Sequence, residues 1–134
     1  MSKLVGIKVK MTQVWQEDKV VPVTLVKLES KELDGLKVGE RVKVSGVTKG
    51  HGFQGVVKRH GFHGGPQTHG QKNRLRAPGS IGNTSPQRVI PGRRMAGRMG
   101  GVRFTVKNLK VVELNKEKQE VFLKGAVPGN KRGR

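Results

Sequence analysis

The feature that most constrains this sequence is a long stretch without a single carboxylate. Residues 41–112 contain 15 Lys or Arg and all four His, but neither Asp nor Glu. Folded surfaces normally intersperse both signs, because unopposed like charges repel one another. The stretch therefore predicts that the missing negative charge comes from a polyanion. Nucleic acid is the obvious one, since its phosphates release counterions when cations bind them.

The middle of this stretch is also unsuited to a packed core. Residues 49–101 hold 13 of the 20 Gly and four of the six Pro, and their few aliphatic side chains follow no regular period. Such a segment cannot bury enough apolar area to offset the entropy of ordering it. Because a plain linker is rarely dense in Arg and free of acids, an extension that RNA orders is the favoured interpretation.

The two ends of the chain show the alternation of apolar and polar residues that is typical of half-buried strands. Strands are predicted at residues 4–15, 20–28, 41–48, 102–106, 109–114 and 120–127, and the only helical turn at 30–33. The fold class is accordingly mainly β, a small closed or nearly closed barrel with a long irregular basic extension. Trp15 and Phe122 are expected to anchor its interior.

Several classes of protein are excluded or disfavoured by what the sequence lacks. Without Cys there is neither a disulfide nor a Cys-ligated metal, and four His beside many cations and no acid make a poor metal site. With no nucleophilic Cys and no carboxylate base in the basic segment, we expect no catalytic residues, no cofactor and no enzymatic activity. No apolar run reaches the roughly 18 residues of a membrane span. Lys8 and Lys10 interrupt any signal peptide, so a cytoplasmic protein is expected.

One glycine motif has the spacing of a dinucleotide-binding loop. Residues 50–55 read GHGFQG and match the pattern GxGxxG after a predicted strand. Dinucleotide binding also needs a following helix and an acid about 20 residues later. Glycines follow where the helix is required, and the first acid is Glu113, so an oxidoreductase is disfavoured. The glycines are better explained as places where backbone approaches phosphate closely.

Five motifs in this order resemble those of the bacterial ribosomal protein L3 family. They are Lys49–Arg59, Thr68–Gly70, Pro78–Gly82, Arg93–Gly100 and Leu123–Gly129. The resemblance implies a β-barrel of the translation-protein type, formed by residues 1–48 and 102–129. It implies that residues 49–101 are a loop that penetrates ribosomal RNA (rRNA) toward the peptidyl transferase centre, with its tip near 80–85. Residues 130–134 would form a basic tail.

The same resemblance implies a structural role in the large ribosomal subunit and in its assembly. The partners would be large-subunit rRNA and neighbouring large-subunit proteins, with no membrane, and the location would be the ribosome in the cytoplasm. The chain is shorter than typical members, apparently between Glu29 and Val38 and in the C-terminal tail. An isolated, shortened barrel could therefore form a homodimer through an open sheet edge.

The candidate rRNA-binding residues are cations, His and a few stacking or hydrogen-bonding side chains of the extension. They are Lys49, His51, Phe53, Gln54, Lys58, Arg59, His60, His69, Arg74, Arg76, Ser80, Asn83, Arg88, Arg93, Arg94, Met95 and Arg98. Arg forks onto phosphate and stacks on bases, and His stacks or hydrogen-bonds to RNA. The alternative function is a general nucleic-acid-binding or RNA-chaperone barrel without ribosomal specificity. A membrane-active peptide is disfavoured, because no amphipathic helix is visible.

Overall fold

The structure, a computed structural model, describes residues 4–29 and 35–133. It divides into two compact units, one containing residues up to 49 and from 101 onward, the other residues 50–100. The turn predicted at 30–33 lies outside the described residues. In chain order the elements are β1 (Gly6–Gln16), β2 (Lys19–Leu28), β3 (Arg41–Val47), β4 (Phe53–Gln54), α1 (Val56–His60), β5 (Gly97–Arg98), β6 (Arg103–Asn115) and β7 (Glu120–Lys124).

The first unit, which we call the sheet unit, is a five-stranded antiparallel sheet in the order β1-β2-β7-β6-β3. The predicted mainly-β class is confirmed. Strand β6 serves two partners, because residues 103–110 pair with β3 and residues 111–115 pair with β7. Two separate strands were predicted in this range, at 102–106 and 109–114. They form one long strand instead.

Three bulges bend the long strands of this sheet. One lies in β1 between Lys8 and Lys10, and two lie in β6, at Asn108 and at Val112. An extra residue in one strand shifts the alternation of side chains between the two faces. Val111 and Val112, at the start of the second bulge of β6, are both buried.

The core consists of two aliphatic clusters on opposite faces of the sheet. Neighbouring residues of β7 separate them: Val121 and Leu123 join Val111 in the larger cluster, whereas Phe122 packs against Val112 in the smaller one. Every buried apolar side chain of the described residues is Val or Leu. Fully burying one such side chain contributes roughly 1.5–3 kcal/mol.

The prediction that Trp15 anchors the interior is wrong, since its side chain is 68% exposed. The register explains the exposure. Trp15 pairs with Val20 at the far end of the β1–β2 hairpin, while β7 covers β2 only from Val23 to Lys27. Phe122 is half-buried against the smaller cluster.

The sheet does not close, so the predicted barrel is not confirmed for the described residues. The edge strands β1 and β3 are not hydrogen-bonded neighbours, and residues 127–133 contact both. Toward β1, the Lys8 N–H donates to the Gly133 carbonyl (2.9 Å) and the Arg132 N–H donates to the Lys8 carbonyl (2.7 Å). Toward β3, a Cβ at Gly129 would lie only 2.9 Å from the Val47 carbonyl oxygen. We call residues 127–133 the bridging segment.

The second unit, residues 50–100, contains the two-stranded ribbon β4–β5 and the short helix α1. Helix α1 begins immediately after the glycine motif at 50–55, so the expectation that no helix follows the motif is wrong. It ends after five residues at Gly61, whose left-handed backbone (φ 73°) closes the last turn. Across the described ranges, no helix is long and apolar enough to cross a membrane.

Candidate nucleic-acid interface

Charge sets residues 50–100 apart from the sheet unit. They carry nine Lys or Arg and no Asp or Glu. All nine are exposed except Arg59, which is half-buried. The nine are Lys58, Arg59, Lys72, Arg74, Arg76, Arg88, Arg93, Arg94 and Arg98. Because no carboxylate of the segment can neutralise them, they are available to phosphate groups.

The Met95 carbonyl joins the helix to the returning chain. Arg59 Nη1 donates to this oxygen at 2.6 Å, and His60 Nε2 lies 2.9 Å from it. A carbonyl only accepts, so Nε2 of His60 must carry the hydrogen. Gly97 leaves room for the Arg59 guanidinium, since a Cβ there would lie 2.9 Å from Nη1. Three predicted RNA-binding residues, Arg59, His60 and Met95, are thereby brought together.

The ribbon β4–β5 and His51, two residues before it, hold four further candidates. Phe53 pairs with Arg98 across the two strands, and the Phe53 side chain is 76% exposed. The Gln54 side chain donates to the His51 carbonyl at 2.5 Å, while the His51 N–H donates to the Met99 carbonyl at 2.9 Å. An exposed aromatic ring beside an Arg on one ribbon suits base stacking combined with phosphate binding.

Hydrogen bonds from the Arg93 and Ser80 side chains hold the predicted tip in a turn. Arg93 Nη2 donates to the Ser80 carbonyl at 2.6 Å, and the Ser80 hydroxyl donates to the Gly82 carbonyl at 2.9 Å. The Arg88 N–H donates to the Pro86 carbonyl at 2.8 Å. Since Arg has five N–H donors, Arg93 keeps donors for an RNA phosphate while it holds this turn.

A cleft of about 550 Å³ opens beside the C-terminal end of α1. We call it the α1 cleft. Its polar and aromatic lining comes from three separate stretches of residues 50–100. The side chains concerned are those of His60, Phe62, His63, Gln71, Arg74 and Arg94. The His60 and Phe62 rings lie 5.9 Å apart, centroid to centroid, at an angle of 43°.

The remaining candidates lie outside these groups. Lys58, His69, Arg76 and Asn83 have exposed side chains elsewhere in residues 50–100. Lys49 is also exposed but belongs to the sheet unit. Among the described residues, no cluster of three or more His, Cys, Asp or Glu could hold a metal ion.

Three of the polar and aromatic side chains that line the α1 cleft are missing from the sequence-predicted set, namely Phe62, His63 and Gln71. One signal could have identified Phe62. The dipeptide Gly61-Phe62 repeats Gly52-Phe53, which places an aromatic ring after a glycine with positive φ in both cases. Gln71 has no comparable signal, because it reaches the cleft only through the fold of the loop.

Comparison with known proteins agrees with the resemblance seen in the sequence. A family described as Ribosomal protein L3 matches residues 7–126. A large ribosomal subunit protein uL3 from Chlorobium limicola is 58% identical over 100 residues, covering 74% of this chain and 48% of the relative. Another protein of that name, from Herpetosiphon aurantiacus, is 57% identical over 102 residues, covering 75% of this chain and 48% of the relative.

The chain spans about half the length of the curated relatives it matches. The family match nevertheless extends from β1 to just beyond β7 and includes all of residues 50–100. This chain therefore belongs to the ribosomal protein L3 family.

Proposed function

We propose that this chain is a structural rRNA-binding protein of the large ribosomal subunit, without enzymatic activity of its own. The observation that carries the proposal is the set of nine cations in residues 50–100, eight of them exposed, in a segment that contains no acid. The names of the uL3 relatives support the ribosomal assignment. The protein would reside on cytoplasmic ribosomes beside other large-subunit proteins and contribute to subunit assembly.

Each part of the chain has its own task in this proposal. Residues 1–48 and 102–129 dock on the subunit surface, and residues 130–134 add a basic tail. Residues 49–101 enter the rRNA toward the peptidyl transferase centre, with Ser80 and Asn83 near the innermost point. Arg59 and Arg93 serve two purposes, because each binds a backbone carbonyl and retains further donors for phosphate.

The first test compares the intact chain with one in which a short Gly/Ser turn replaces residues 49–101. A short turn suffices, because the Thr48 N–H donates to the Val102 carbonyl at 2.9 Å. Binding to large-subunit rRNA is measured at near-physiological salt with excess tRNA. The proposal expects competitor-resistant binding that the replacement abolishes. Intact-chain binding that tRNA removes would instead favour a general nucleic-acid-binding or RNA-chaperone module.

A matched pair of variants separates position from net charge. One variant neutralises Arg74, Arg76 and Arg93 with Gln, and the other neutralises the exposed Lys19, Lys37 and Lys118 of the sheet unit in the same way. Both lose three positive charges. We expect the first to weaken rRNA binding far more than the second, and equal losses would contradict a dedicated interface in residues 50–100.

The salt dependence of binding reports how many phosphates are neutralised. If about 8 phosphates are contacted, the logarithm of affinity falls with the logarithm of salt concentration at a slope of roughly −6. A slope shallower than about −2 would mean that most of the cations do not touch phosphate.

The position of the tip has a kinetic test. Substitutions at Ser80 and Asn83 are expected to alter peptidyl transfer or antibiotic sensitivity in fully assembled subunits. Unchanged kinetics in such subunits would place the tip away from the catalytic RNA.

A further inference from the structure

We infer that the α1 cleft receives one unpaired nucleotide of an RNA strand, an inference that rests on the proposed rRNA-binding function. The cleft volume of about 550 Å³ lies within the roughly 300–1,000 Å³ that is typical of small-ligand sites. A single base with its sugar and phosphate is a ligand of this class. A base pair held inside a duplex could not enter, so the cleft selects a nucleotide that has left its stack.

The backbone around the cleft is fixed by close contacts rather than by large side chains. At one end, the Gly61 N–H donates to the Val57 carbonyl at 3.0 Å and turns the chain away from α1. At the other end, the Gly65 N–H donates to the Leu75 carbonyl at 3.0 Å. A Cβ at Gly64 would overlap the Leu75 carbonyl oxygen, so only glycine allows this approach. These backbone contacts hold the residues that line the cleft close to one another.

The lining offers each group that recognition of a nucleotide requires. Phe62 is half-buried and tilted against His60, so its ring is held as a stacking surface. Base–aromatic stacking is worth about 1–3 kcal/mol per base. The half-buried Gln71 amide can donate to and accept from a base edge, and the exposed Arg74 and Arg94 guanidinium groups suit the phosphate.

The charge around the cleft favours a nucleotide within a strand over a free mononucleotide. Only two of the nine cations of residues 50–100, Arg74 and Arg94, line the cleft. The other seven lie elsewhere in the same unit, where the phosphates on either side of the bound nucleotide can meet them. A free mononucleotide would leave these seven cations without phosphate.

The test uses the full-length chain and two RNA duplexes that share the strand carrying 2-aminopurine and differ by one nucleotide in the opposite strand. One duplex carries 2-aminopurine as a single-nucleotide bulge, and the other carries it paired within the helix. Free 2-aminopurine ribonucleoside monophosphate is the third probe. We expect tighter binding of the bulged RNA, together with a change in its fluorescence as the base leaves the RNA stack for the ring of Phe62. Binding of the free mononucleotide as tight as that of the bulged RNA would overturn the assignment to a strand.

Four variants test whether the α1 cleft causes the tighter binding of the bulged RNA. Phe62→Ala is expected to weaken binding of the bulged RNA by roughly 5- to 150-fold and to spare the paired duplex. Phe62→Trp, which keeps a stacking surface, is expected to retain binding of the bulged RNA. Arg94→Gln alters only an exposed side chain and should weaken the bulged RNA selectively. Ile90→Ala, an exposed aliphatic change outside the cleft, is the control.

The outcomes distinguish this inference from the proposed function. If both duplexes bind equally and Phe62→Ala changes neither, the cleft assignment is overturned while RNA binding stands. If neither duplex nor large-subunit rRNA binds, the proposed function itself has failed.

Discussion

Lys8 is the residue on which contacts between the two edges of the sheet converge. Its ammonium group donates to the carbonyls of Val127 (2.8 Å) and Gly129 (3.1 Å), while its backbone pairs with Arg132 and Gly133. Burial, and to a lesser extent the nearby charge of Lys49, lowers the pKa of Lys8 below its usual 10.5. One side chain thus ties β1 to the bridging segment despite an unfavourable electrostatic setting.

Replacing Lys8 with Met should lower the free energy of unfolding by about 1–3 kcal/mol, because two partly buried carbonyls lose their donor. Urea denaturation measures the effect. Lys10→Met, an exposed change two residues along the same strand, is the matched control and should alter stability by less than about 0.5 kcal/mol. Equal effects of the two variants would show that the bonds from Lys8 contribute nothing specific.

The lowered pKa of Lys8 fixes the sign of a pH effect. Between its folded pKa and 10.5, the unfolded chain binds this proton more tightly than the folded chain. The contribution of Lys8 to the free energy of unfolding therefore rises as the pH rises through that window. The stability of the intact chain minus that of Lys8→Met, followed across this range, should increase with pH. A stability difference that decreases as the pH rises would contradict a lowered pKa of Lys8 in the folded chain.

At the scale of elements, a bulge at Asn108 interrupts the pairing of β6 with β3, shortly before β6 changes partner to β7 at Val111. Asn108 has a left-handed backbone (φ 61°) and lies between the pairs Leu109–Val42 and Val106–Val44. Asn tolerates this conformation better than other residues with a Cβ. The Asn108 side chain is exposed, so its replacement removes no core contact.

Asn108→Ala should cost about 1–2 kcal/mol of stability, because Ala disfavours positive φ. Asn108→Gly should be neutral or stabilising for the same reason. Thermal unfolding of both variants, with the exposed neighbour Lys107→Ala as a control, separates backbone strain from loss of a side chain. A stable Asn108→Ala variant together with a destabilised Asn108→Gly variant would argue against the bulge geometry.

The same element shows what sequence can and cannot predict. Strand β3 was predictable, because Val42 and Val44 alternate with the exposed Arg41 and Lys43. The unity of β6 was not, because the extra residue at Asn108 interrupts the alternation and imitates the end of a strand. Helix α1 and the ribbon β4–β5 are too short for any period to emerge.

The candidate site, too, was predictable from the sequence only in part. Its chemistry was visible in the sequence, because the absence of acids and the density of Arg require no knowledge of the fold. The α1 cleft was not visible, because Phe62 and Gln71 meet through backbone contacts of Gly64 and Gly65. In the sequence, such a backbone contact is marked only by a glycine, and most glycines of residues 50–100 do not lie at such a contact.

At the scale of the whole molecule, residues 50–100 leave and re-enter the sheet unit at adjacent positions. The Thr48 N–H donates to the Val102 carbonyl at 2.9 Å, and the Ser45 and Thr105 hydroxyls lie 2.7 Å apart further along the same pair of strands. Contacts between the two chain segments thus continue to Thr48, two residues before the excursion begins.

Replacing residues 50–100 with a short Gly/Ser turn should leave the sheet unit folded. Far-UV circular dichroism should keep its β signature, and unfolding should remain cooperative. Stability should hold or rise, because each halving of the loop length lowers the entropic cost of closing the loop by about 0.6 kcal/mol. Loss of cooperative unfolding in the replaced chain would show that the sheet depends on the basic segment.

The long excursion between β3 and β6 also bears on the time the chain needs to fold. Ser45 must find Thr105 across 60 positions, and Lys8 must find Val127 across 119. Such distant pairings slow folding and prolong the exposure of unpaired strands. An RNA that gathers residues 50–100 would bring Thr48 and Val102 together and shorten the first of these searches. Under the proposed function, the RNA would thus serve as a template for folding as well as a binding partner.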